Sequence, residues 1–250
     1  KVDRKIGVTP VQLLSEIEDY DGLAIRSATK VTPEVISRAN NLKVVGRAGI
    51  GVDNIAVEAA SAAGVVVMNT PFGNAVTTAE HAISMICSLA REITIADRST
   101  QAGKWEKSRF MGTELTGKNL GIVGCGNIGS IVADRAQGLK MRVLAFDPYL
   151  SEERAVELGV RKVDEETLFS QSDFITLHTP LTNSTKGLVN ANSIEKMKKG
   201  VRIINCARGG LIVETDLKAA LESGHVAGAA LDVFASEPAK QNILFGVPGL

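Results

Sequence analysis

The chain is poor in the residue types that mark several classes of protein. Its 250 residues include three cysteines, one tryptophan and 4% aromatic residues, and its formal net charge at pH 7 is +0. A neutral chain lacks the excess of lysine and arginine that binds nucleic acid or an anionic membrane surface, so we expect neither partner. No apolar run approaches the ~20 residues of a membrane-spanning helix, and no signal-like apolar run follows Lys1.

The cysteines do not form a recognisable framework. Cys87, Cys125 and Cys206 are odd in number, far apart, and surrounded by apolar residues or glycines. Their spacing matches neither a metal site nor a disulfide scaffold. We therefore predict reduced thiols, no bound metal, and a cytoplasmic or comparable reducing compartment, an organellar stroma included.

Residues 121–129, with the sequence GIVGCGNIG, are the most informative segment. Gly124, Gly126 and Gly129 have the G-x-G-x-x-G spacing at the end of an apolar stretch that predicts a buried strand. Such a turn lets a pyrophosphate approach the backbone at a helix N terminus. Asp147 ends the next predicted strand, where a carboxylate binds the ribose hydroxyls of NAD. A glycine turn without a ligand is the alternative, but the combination of strand, helix and acidic residue favours dinucleotide binding.

Helices and strands alternate along the chain with short connections, which predicts parallel sheets. Residues 1–71 are interpreted as a partial flavodoxin-like substrate-binding domain, with an opening strand expected before Lys1. Residues 69–74 contain proline and glycine and are predicted as a hinge. Residues 72–250 are predicted to form a doubly wound parallel-sheet dinucleotide-binding (Rossmann) domain that includes a long helix over residues 76–101.

Apolar residues recur at helical spacing along the predicted helix 76–101. This apolar face packs within its own domain or forms part of a dimer interface, and the interface is the interpretation favoured here. We accordingly expect a homodimer or homotetramer. The residues of the face are Ala82, Ile83, Ile86, Leu89, Ala90 and Ile93.

Polar residues follow the predicted strands of the second domain, at the edge where parallel sheets bind ligands. His178 ends one strand, Cys206 ends the next, and Asp232 ends the last, with Glu237 shortly beyond it. Arg208 lies between a strand end and two glycines, where its planar guanidinium can hold a carboxylate through two parallel hydrogen bonds. A solvated loop arginine is the alternative for this residue.

Four segments together resemble the D-2-hydroxyacid dehydrogenase family. They are the glycine segment and residues 46–54 (GRAGIGVDN), 206–212 (CARGGLI) and 230–238 (ALDVFASEP). Residues 25–30 (IRSATK) and 110–115 (FMGTEL) resemble family members that oxidise 3-phospho-D-glycerate to 3-phosphohydroxypyruvate in serine biosynthesis. The resemblance covers nearly the whole chain and implies an oxidoreductase that transfers a hydride to NAD from a phosphorylated 2-hydroxy acid.

The resemblance also implies roles for individual residues. Arg208 would hold the carboxylate and keto oxygen of the substrate, and Glu237 would orient a histidine that carries the proton. The NAD site would be lined by the motif glycines and by Asn127, Ile128, Asp147, Thr179, Cys206 and Asp232.

In the first domain the resemblance implies that Arg26 and Arg47 face the phosphate or carboxylate end of the substrate. Ile50 and Gly51 would line the cleft. Many relatives have threonine in place of Ile50, so this chain lacks a hydroxyl group there.

The catalytic histidine of the family lies in a His-Leu-Gly-Ala-like motif after the Glu-Pro pair, and residues up to Leu250 do not include such a motif. His178 closes a strand but has no evident carboxylate partner. His81 and His225 are predicted to be packing or surface residues. We therefore expect the 250 residues to be a piece of a longer protein that binds cofactor but shows essentially no dehydrogenase activity alone.

Two other functions remain open at this point. One is a sister enzyme such as a glyoxylate or hydroxypyruvate reductase or a D-lactate dehydrogenase, and the other is a non-catalytic, NAD(H)-responsive corepressor-like protein. Arg26 and the basic residues within 104–109 favour a phosphorylated substrate, although the latter also fit a solvated surface.

Overall fold

The chain folds into two compact units. The computed structural model describes every residue from Lys1 to Leu250. The units are Lys1–Ala75 and Val76–Leu250. No helix in either unit combines the length and the apolar character needed to cross a membrane.

The first unit is a three-stranded parallel sheet with helices. Thr9 and Thr32 each begin a helix, because the hydroxyl oxygen of each accepts a hydrogen bond from a backbone N–H of the first turn and a proline follows each. Ile25 and Val45 share one apolar core with residues of these helices. The strands lie in the order β1-β2-β3. In chain order the elements are α1 (Pro10–Glu16), β1 (Gly22–Ile25), α2 (Pro33–Arg38), β2 (Val44–Arg47), α3 (Val57–Ala62) and β3 (Val66–Asn69).

The long helix predicted over residues 76–101 is two helices in the structure. These are α4 (Ala75–Arg91) and α5 (Ile93–Gln101), and Glu92 between them has a positive φ of 52°. The carbonyl oxygen of Ala90 accepts a hydrogen bond of 2.7 Å from the backbone N–H of Thr113. Because this carbonyl bonds outside the helix, the break lies where the segment around Thr113 packs against α4.

The apolar face of α4 packs largely within its own unit, and the dimer interface predicted for part of it stays a prediction. Ala82, Ile86 and Ala90 are fully buried in one core cluster, and Ile83 and Leu89 pack against it. Ile93, the last residue of the predicted face, is 52% exposed, but it belongs to α5. Three of the six residues are thus buried and two are partly buried, because the sheet of the second unit supplies an apolar surface for them.

The second unit is built on a six-stranded parallel sheet in the order β6-β5-β4-β7-β8-β9. The strand order reverses between β4 and β7, and ligands of such sheets bind beyond the carboxyl ends of the strands at this point. The predicted parallel α/β fold with a Rossmann-type domain is therefore confirmed. Its elements are β4 (Asn119–Val123), α6 (Asn127–Gly138), β5 (Arg142–Phe146), α7 (Glu152–Glu157), β6 (Arg161–Lys162), α8 (Glu165–Gln171), β7 (Phe174–Leu177), α9 (Ala191–Lys196), β8 (Val201–Asn205), α10 (Glu214–Glu222) and β9 (Val226–Leu231).

The strands of this sheet are apolar on both faces, as the continuous apolar sequence predicts. Phe174 and Ile204 are buried in one core cluster, whereas their neighbours Ile175 and Ile203 are buried in another. Successive side chains of a strand point to opposite faces, so helices cover both sides of the sheet. This packing holds the carboxyl ends of β4, β7, β8 and β9 at one edge.

Candidate active site

The turn after β4 has the geometry of a phosphate-binding loop. Gly124 has a φ of 89°, and a Cβ there would lie 2.7 Å from the carbonyl oxygen of His178. A Cβ on Gly129 would overlap the carbonyl oxygen of Gly124, so α6 can approach the strand only with glycine at this position. By contrast, a Cβ on Gly126 would have no atom within 4 Å. The residues therefore leave open space at the start of α6, which fits a bound dinucleotide phosphate.

Asp147 follows β5 and holds the same turn. Its Oδ2 accepts a hydrogen bond of 2.8 Å from the backbone N–H of Cys125, and its Oδ1 accepts one of 2.8 Å from the N–H of Tyr149. A carboxylate has about four acceptor positions, so both oxygens retain capacity for ribose hydroxyls. Burial and the neighbouring Asp147 raise the pKa of the Cys125 thiol to about 11, which keeps it protonated at neutral pH.

His178 lies directly after β7. Its Nε2 is 2.9 Å from the hydroxyl oxygen of Thr176, while its Nδ1 is buried without a hydrogen-bond partner. Burial lowers the pKa of His178 to about 4, so the ring is neutral at physiological pH. No carboxylate is among its hydrogen-bond or ion-pair partners. The adjacent Thr179 is half-buried, and its backbone nitrogen lies beside Gly124.

We expect protonation of His178 to destabilise the fold. The pKa of 6.5 that the imidazole has in the unfolded chain falls to about 4 in the folded one. The stability contributed by the neutral ring is thus complete above pH 6.5 and is lost as the pH falls toward 4. Melting temperatures measured between about pH 7 and pH 4 should fall less in His178→Gln than in the unmodified chain or in His225→Gln. Equal falls in all three would contradict this assignment.

Asn205, at the end of β8, holds the turn that carries Cys206 and Arg208. Its side-chain N–H donates to the carbonyl oxygen of Arg208 at 2.8 Å, and its Oδ1 accepts from the N–H of Ala207 at 3.0 Å. The carbonyl oxygen of Asn205 also accepts from the N–H of Asp232 at 3.0 Å. Asn205 was not predicted as a site residue, although a polar residue that ends an apolar strand is a usable signal.

The loop that carries Arg208 packs against the segment that carries Glu237. A Cβ on Gly209 would overlap the carbonyl oxygen of Phe234. The N–H of Phe234 in turn donates to Oε1 of Glu237 at 3.1 Å. The half-buried Arg208 donates from Nη1 to the carbonyl oxygen of Ala207 at 2.7 Å. Arg208 and the exposed carboxylate of Glu237 therefore lie on two loops whose backbones are in contact.

Cys206 and Asp232 occupy the ends of β8 and β9. Burial and the nearby Asp232 raise the pKa of the Cys206 thiol to about 12. Asp232 is exposed, and its Oδ1 lies 3.6 Å from Nε2 of His81, an exposed residue of α4. Asn127 and Ile128 begin α6, so all the residues predicted to line the cofactor site lie at the carboxyl edge of this sheet.

The site residues predicted in the first unit lie at the carboxyl edge of its own sheet. Arg26 follows β1 and is exposed, whereas Arg47 ends β2 and is buried. Ile50 and Gly51 lie in the loop after β2, and the side chain of Asn69 donates to the carbonyl oxygen of Ile50 at 2.7 Å. Asn54 similarly donates to the carbonyl oxygen of Arg26 at 3.1 Å. These two asparagines were not predicted as site residues.

Comparison with known proteins gives one family. The model of the D-isomer specific 2-hydroxyacid dehydrogenase NAD-binding domain matches residues 83–249, so these residues form an NAD-binding domain. The D-3-phosphoglycerate dehydrogenase of Bacillus subtilis is 52% identical over 233 residues, 93% of this chain and 44% of that protein. That of Homo sapiens is 50% identical over 244 residues, 98% of this chain and 46% of that protein. The chain thus spans less than half the length of these relatives.

Solved structures agree with this match. A Thermus thermophilus protein superposes with a TM-score of 0.90 at 32% identity, covering 100% of this chain and 79% of that one. The D-lactate dehydrogenase of Aquifex aeolicus, complexed with NAD and lactic acid, gives 0.84 at 31% identity, covering 90% of this chain and 68% of that one. The chain belongs to the D-2-hydroxyacid dehydrogenase family, as its motifs predict.

Proposed function

We propose that this protein oxidises 3-phospho-D-glycerate to 3-phosphohydroxypyruvate with NAD, in serine biosynthesis. The identity of 52% over 93% of the chain to a D-3-phosphoglycerate dehydrogenase carries the choice of substrate. The contact between the Arg208 and Glu237 loops, at the edge that also holds the glycine turn, supports the reaction type.

The residues then have separate tasks. The glycine turn and Asp147 would hold NAD, which would supply the acceptor for the hydride from the carbon that bears the hydroxyl group. Arg208 holds the carboxylate of the substrate and stabilises the developing carbonyl oxygen. Glu237 orients the histidine that takes the hydroxyl proton and stabilises its imidazolium form. In this proposal Arg26 and Arg47 bind the phosphate or carboxylate end, and Ile50 and Gly51 line the substrate side.

The competing enzymes differ in the 2-hydroxy acid that they oxidise. D-lactate dehydrogenase and glyoxylate reductase structures match the chain at 33% identity, whereas phosphoglycerate dehydrogenase relatives reach 52%. NADH formation by the full-length protein should therefore be measured with 3-phosphoglycerate, D-lactate and glycolate as substrates. Preference for 3-phosphoglycerate supports the proposal, and preference for an unphosphorylated acid would replace it with a sister enzyme. Turnover of none of them, with NAD binding intact, would favour the corepressor-like alternative.

The basic segment over residues 104–109 gives weaker support for a phosphorylated substrate than its sequence suggests. Arg109 lies 3.3 Å from the carboxylate of Glu106 and 5.1 Å from the centre of the Phe110 ring. A hydrogen bond from Ser99 and the nearby Arg109 lower the pKa of Glu106, so this acid is charged and offsets part of the positive charge. Arg26 remains the stronger argument.

We expect NAD to bind more tightly than NADP because Asp147 would repel a 2′-phosphate. Asp147→Asn retains an acceptor for the N–H of Cys125 but removes the charge. Calorimetric titration should show NAD affinity about tenfold weaker and NADP affinity increased. Asp134→Asn, at an exposed position of α6, is the matched control and should change neither. An unchanged affinity for both cofactors in Asp147→Asn would mean that this carboxylate does not bind the ribose.

We further propose a homodimer or homotetramer in a cytoplasmic or comparable reducing compartment. Three free thiols fit such a compartment. Besides the partly exposed residues of the α4 face, a candidate surface for self-association is the segment after it, where Ile93, Trp105 and Met111 are 52%, 85% and 75% exposed. Sedimentation at several protein concentrations measures the assembly, and a monomer at all of them would contradict it.

A further inference from the structure

Glu214 is an acidic residue outside the set assigned to substrate or cofactor, and both of its carboxylate oxygens are engaged. It is the first residue of α10. Its Oε1 accepts a hydrogen bond of 2.8 Å from the backbone N–H of Ala235, and its Oε2 accepts one of 2.9 Å from the side-chain amide of Asn242. The two donors lie on either side of Glu237 in the sequence.

These bonds act on the segment that presents Glu237. Ala235 follows Phe234, whose carbonyl oxygen packs against Gly209 and whose N–H donates to Glu237. At the other end, Oδ1 of Asn242 accepts a hydrogen bond of 2.9 Å from the N–H of Leu244, which is fully buried. Glu214 thus ties an exposed loop to α10 at two points, and α10 follows the Arg208 loop directly.

A favourable charge at the helix N terminus does not account for this arrangement. An acid in the first turn stabilises a helix wherever its charge is near the terminal amides, and Asp216 already supplies one such charge. Stabilising the helix does not require hydrogen bonds from Ala235 and Asn242, which belong to one distant segment. These bonds instead fix the backbone of that segment in place.

We propose that Glu214 is a positioning residue that holds the Glu237 segment in register with the Arg208 loop. The inference rests on the proposed function, in which Glu237 orients the proton-carrying histidine and Arg208 binds the substrate. If Glu214 were lost, Glu237 would spend less time in its productive position, while the substrate and NAD contacts would stay as they are. The loss would therefore appear in kcat rather than in KM.

An exchange of hydrogen-bonding groups tests this directly. In Glu214→Gln the new amide can accept from Ala235, but its NH₂ group then faces the NH₂ group of Asn242. In Asn242→Asp two carboxylates face each other. The double variant Glu214→Gln/Asn242→Asp restores one donor and one acceptor at that contact, and the new carboxylate still accepts from Leu244.

Two readouts are needed. Hydrogen exchange of the 250-residue chain, measured by mass spectrometry, reports whether residues 233–243 are held. Turnover of 3-phosphoglycerate is measured with the full-length enzyme, and kcat is normalised to the number of titrated NAD sites. It reports whether holding residues 233–243 in place affects the reaction. Glu222→Gln makes the same chemical change at an exposed position of the same helix and is the control.

We expect each single variant to exchange faster over residues 233–243 and to lose about tenfold in kcat. The substrate KM and the NAD affinity should stay within about twofold, and the double variant should recover most of both losses. Unchanged exchange in Glu214→Gln would overturn the inference, and so would unchanged kcat or a fall in kcat that the double variant does not restore. Absence of turnover in the unmodified enzyme would instead overturn the proposed function, and the exchange data would still decide whether Glu214 holds the segment.

Discussion

Replacing Arg208 with alanine is expected to lower kcat for 3-phosphoglycerate by about 10²- to 10³-fold. The half-buried guanidinium lies on a turn that Asn205 holds through two hydrogen bonds, at 2.8 Å and 3.0 Å. A donor fixed in this way stabilises charge that develops on the carbonyl oxygen without first having to reorganise. The enzyme should therefore lose turnover as well as affinity, and steady-state kinetics measure both.

Three further substitutions make the Arg208 experiment specific. Arg208→Lys keeps the charge but not the planar pair of donors, so it should recover only part of the activity. Arg26→Ala should mainly raise the substrate KM, because Arg26 acts on the far end of the substrate in the proposed function. Arg135→Ala, at an exposed position of α6, should change nothing. Loss of affinity alone in Arg208→Ala would mean that Arg208 does not act at the reacting carbon.

The second large effect is expected at Gly126. A Cβ there would have no protein atom within 4 Å, and its φ of −77° is available to any residue, so Gly126→Ala should fold normally. The added methyl group would occupy the space beside the N terminus of α6 where the pyrophosphate would bind. We expect NAD affinity to fall by about two orders of magnitude or more, since the phosphates lose direct contact with the backbone.

Neighbouring glycines provide the controls for this prediction. Gly129→Ala would place a Cβ against the carbonyl oxygen of Gly124, so it should lower the melting temperature as well as NAD affinity. Gly138→Ala, later in α6 with no atom near its Cβ, should leave NAD binding unchanged and stabilise the helix by about 0.5–1 kcal/mol. Calorimetry and thermal unfolding separate the three. Normal NAD affinity in Gly126→Ala would exclude phosphate binding at this turn.

The features that the sequence predicts correctly are those whose chemistry depends on residues close together along the chain. The glycine spacing of residues 121–129 requires a strand, a tight turn and a helix in that order, and the structure has β4, Gly124 at a positive φ and α6. The register of a parallel sheet likewise brings strand ends to one edge, so the sequence predicts Cys206 and Asp232 at the same edge of the sheet. Their closeness is seen in the carbonyl oxygen of Asn205, which accepts from the N–H of Asp232.

Features that depend on a distant segment could not be predicted from the sequence. The apolar pattern over residues 76–101 predicts one continuous helix. In the structure the N–H of Thr113 donates to the carbonyl oxygen of Ala90, and the helix breaks at Glu92. The apolar face of α4 was likewise compatible with an interface or a core, and the structure shows that Ala82, Ile86 and Ala90 belong to the core of the second unit. Helical periodicity shows which side of a helix is apolar but does not identify what covers it.

The sequence by itself determined the parallel α/β class, the dinucleotide turn and the family, because each depends on residues close together along the chain. Only the tertiary structure decided how the loops are held. Asn205 donates a hydrogen bond to the carbonyl oxygen of Arg208, and Glu214 accepts hydrogen bonds from Ala235 and Asn242. An asparagine or a glutamate in sequence is a polar residue with many compatible partners. The donor that bonds to the side-chain oxygens of such a residue depends on how the backbone folds around the residue. The packing of the whole unit decides that fold.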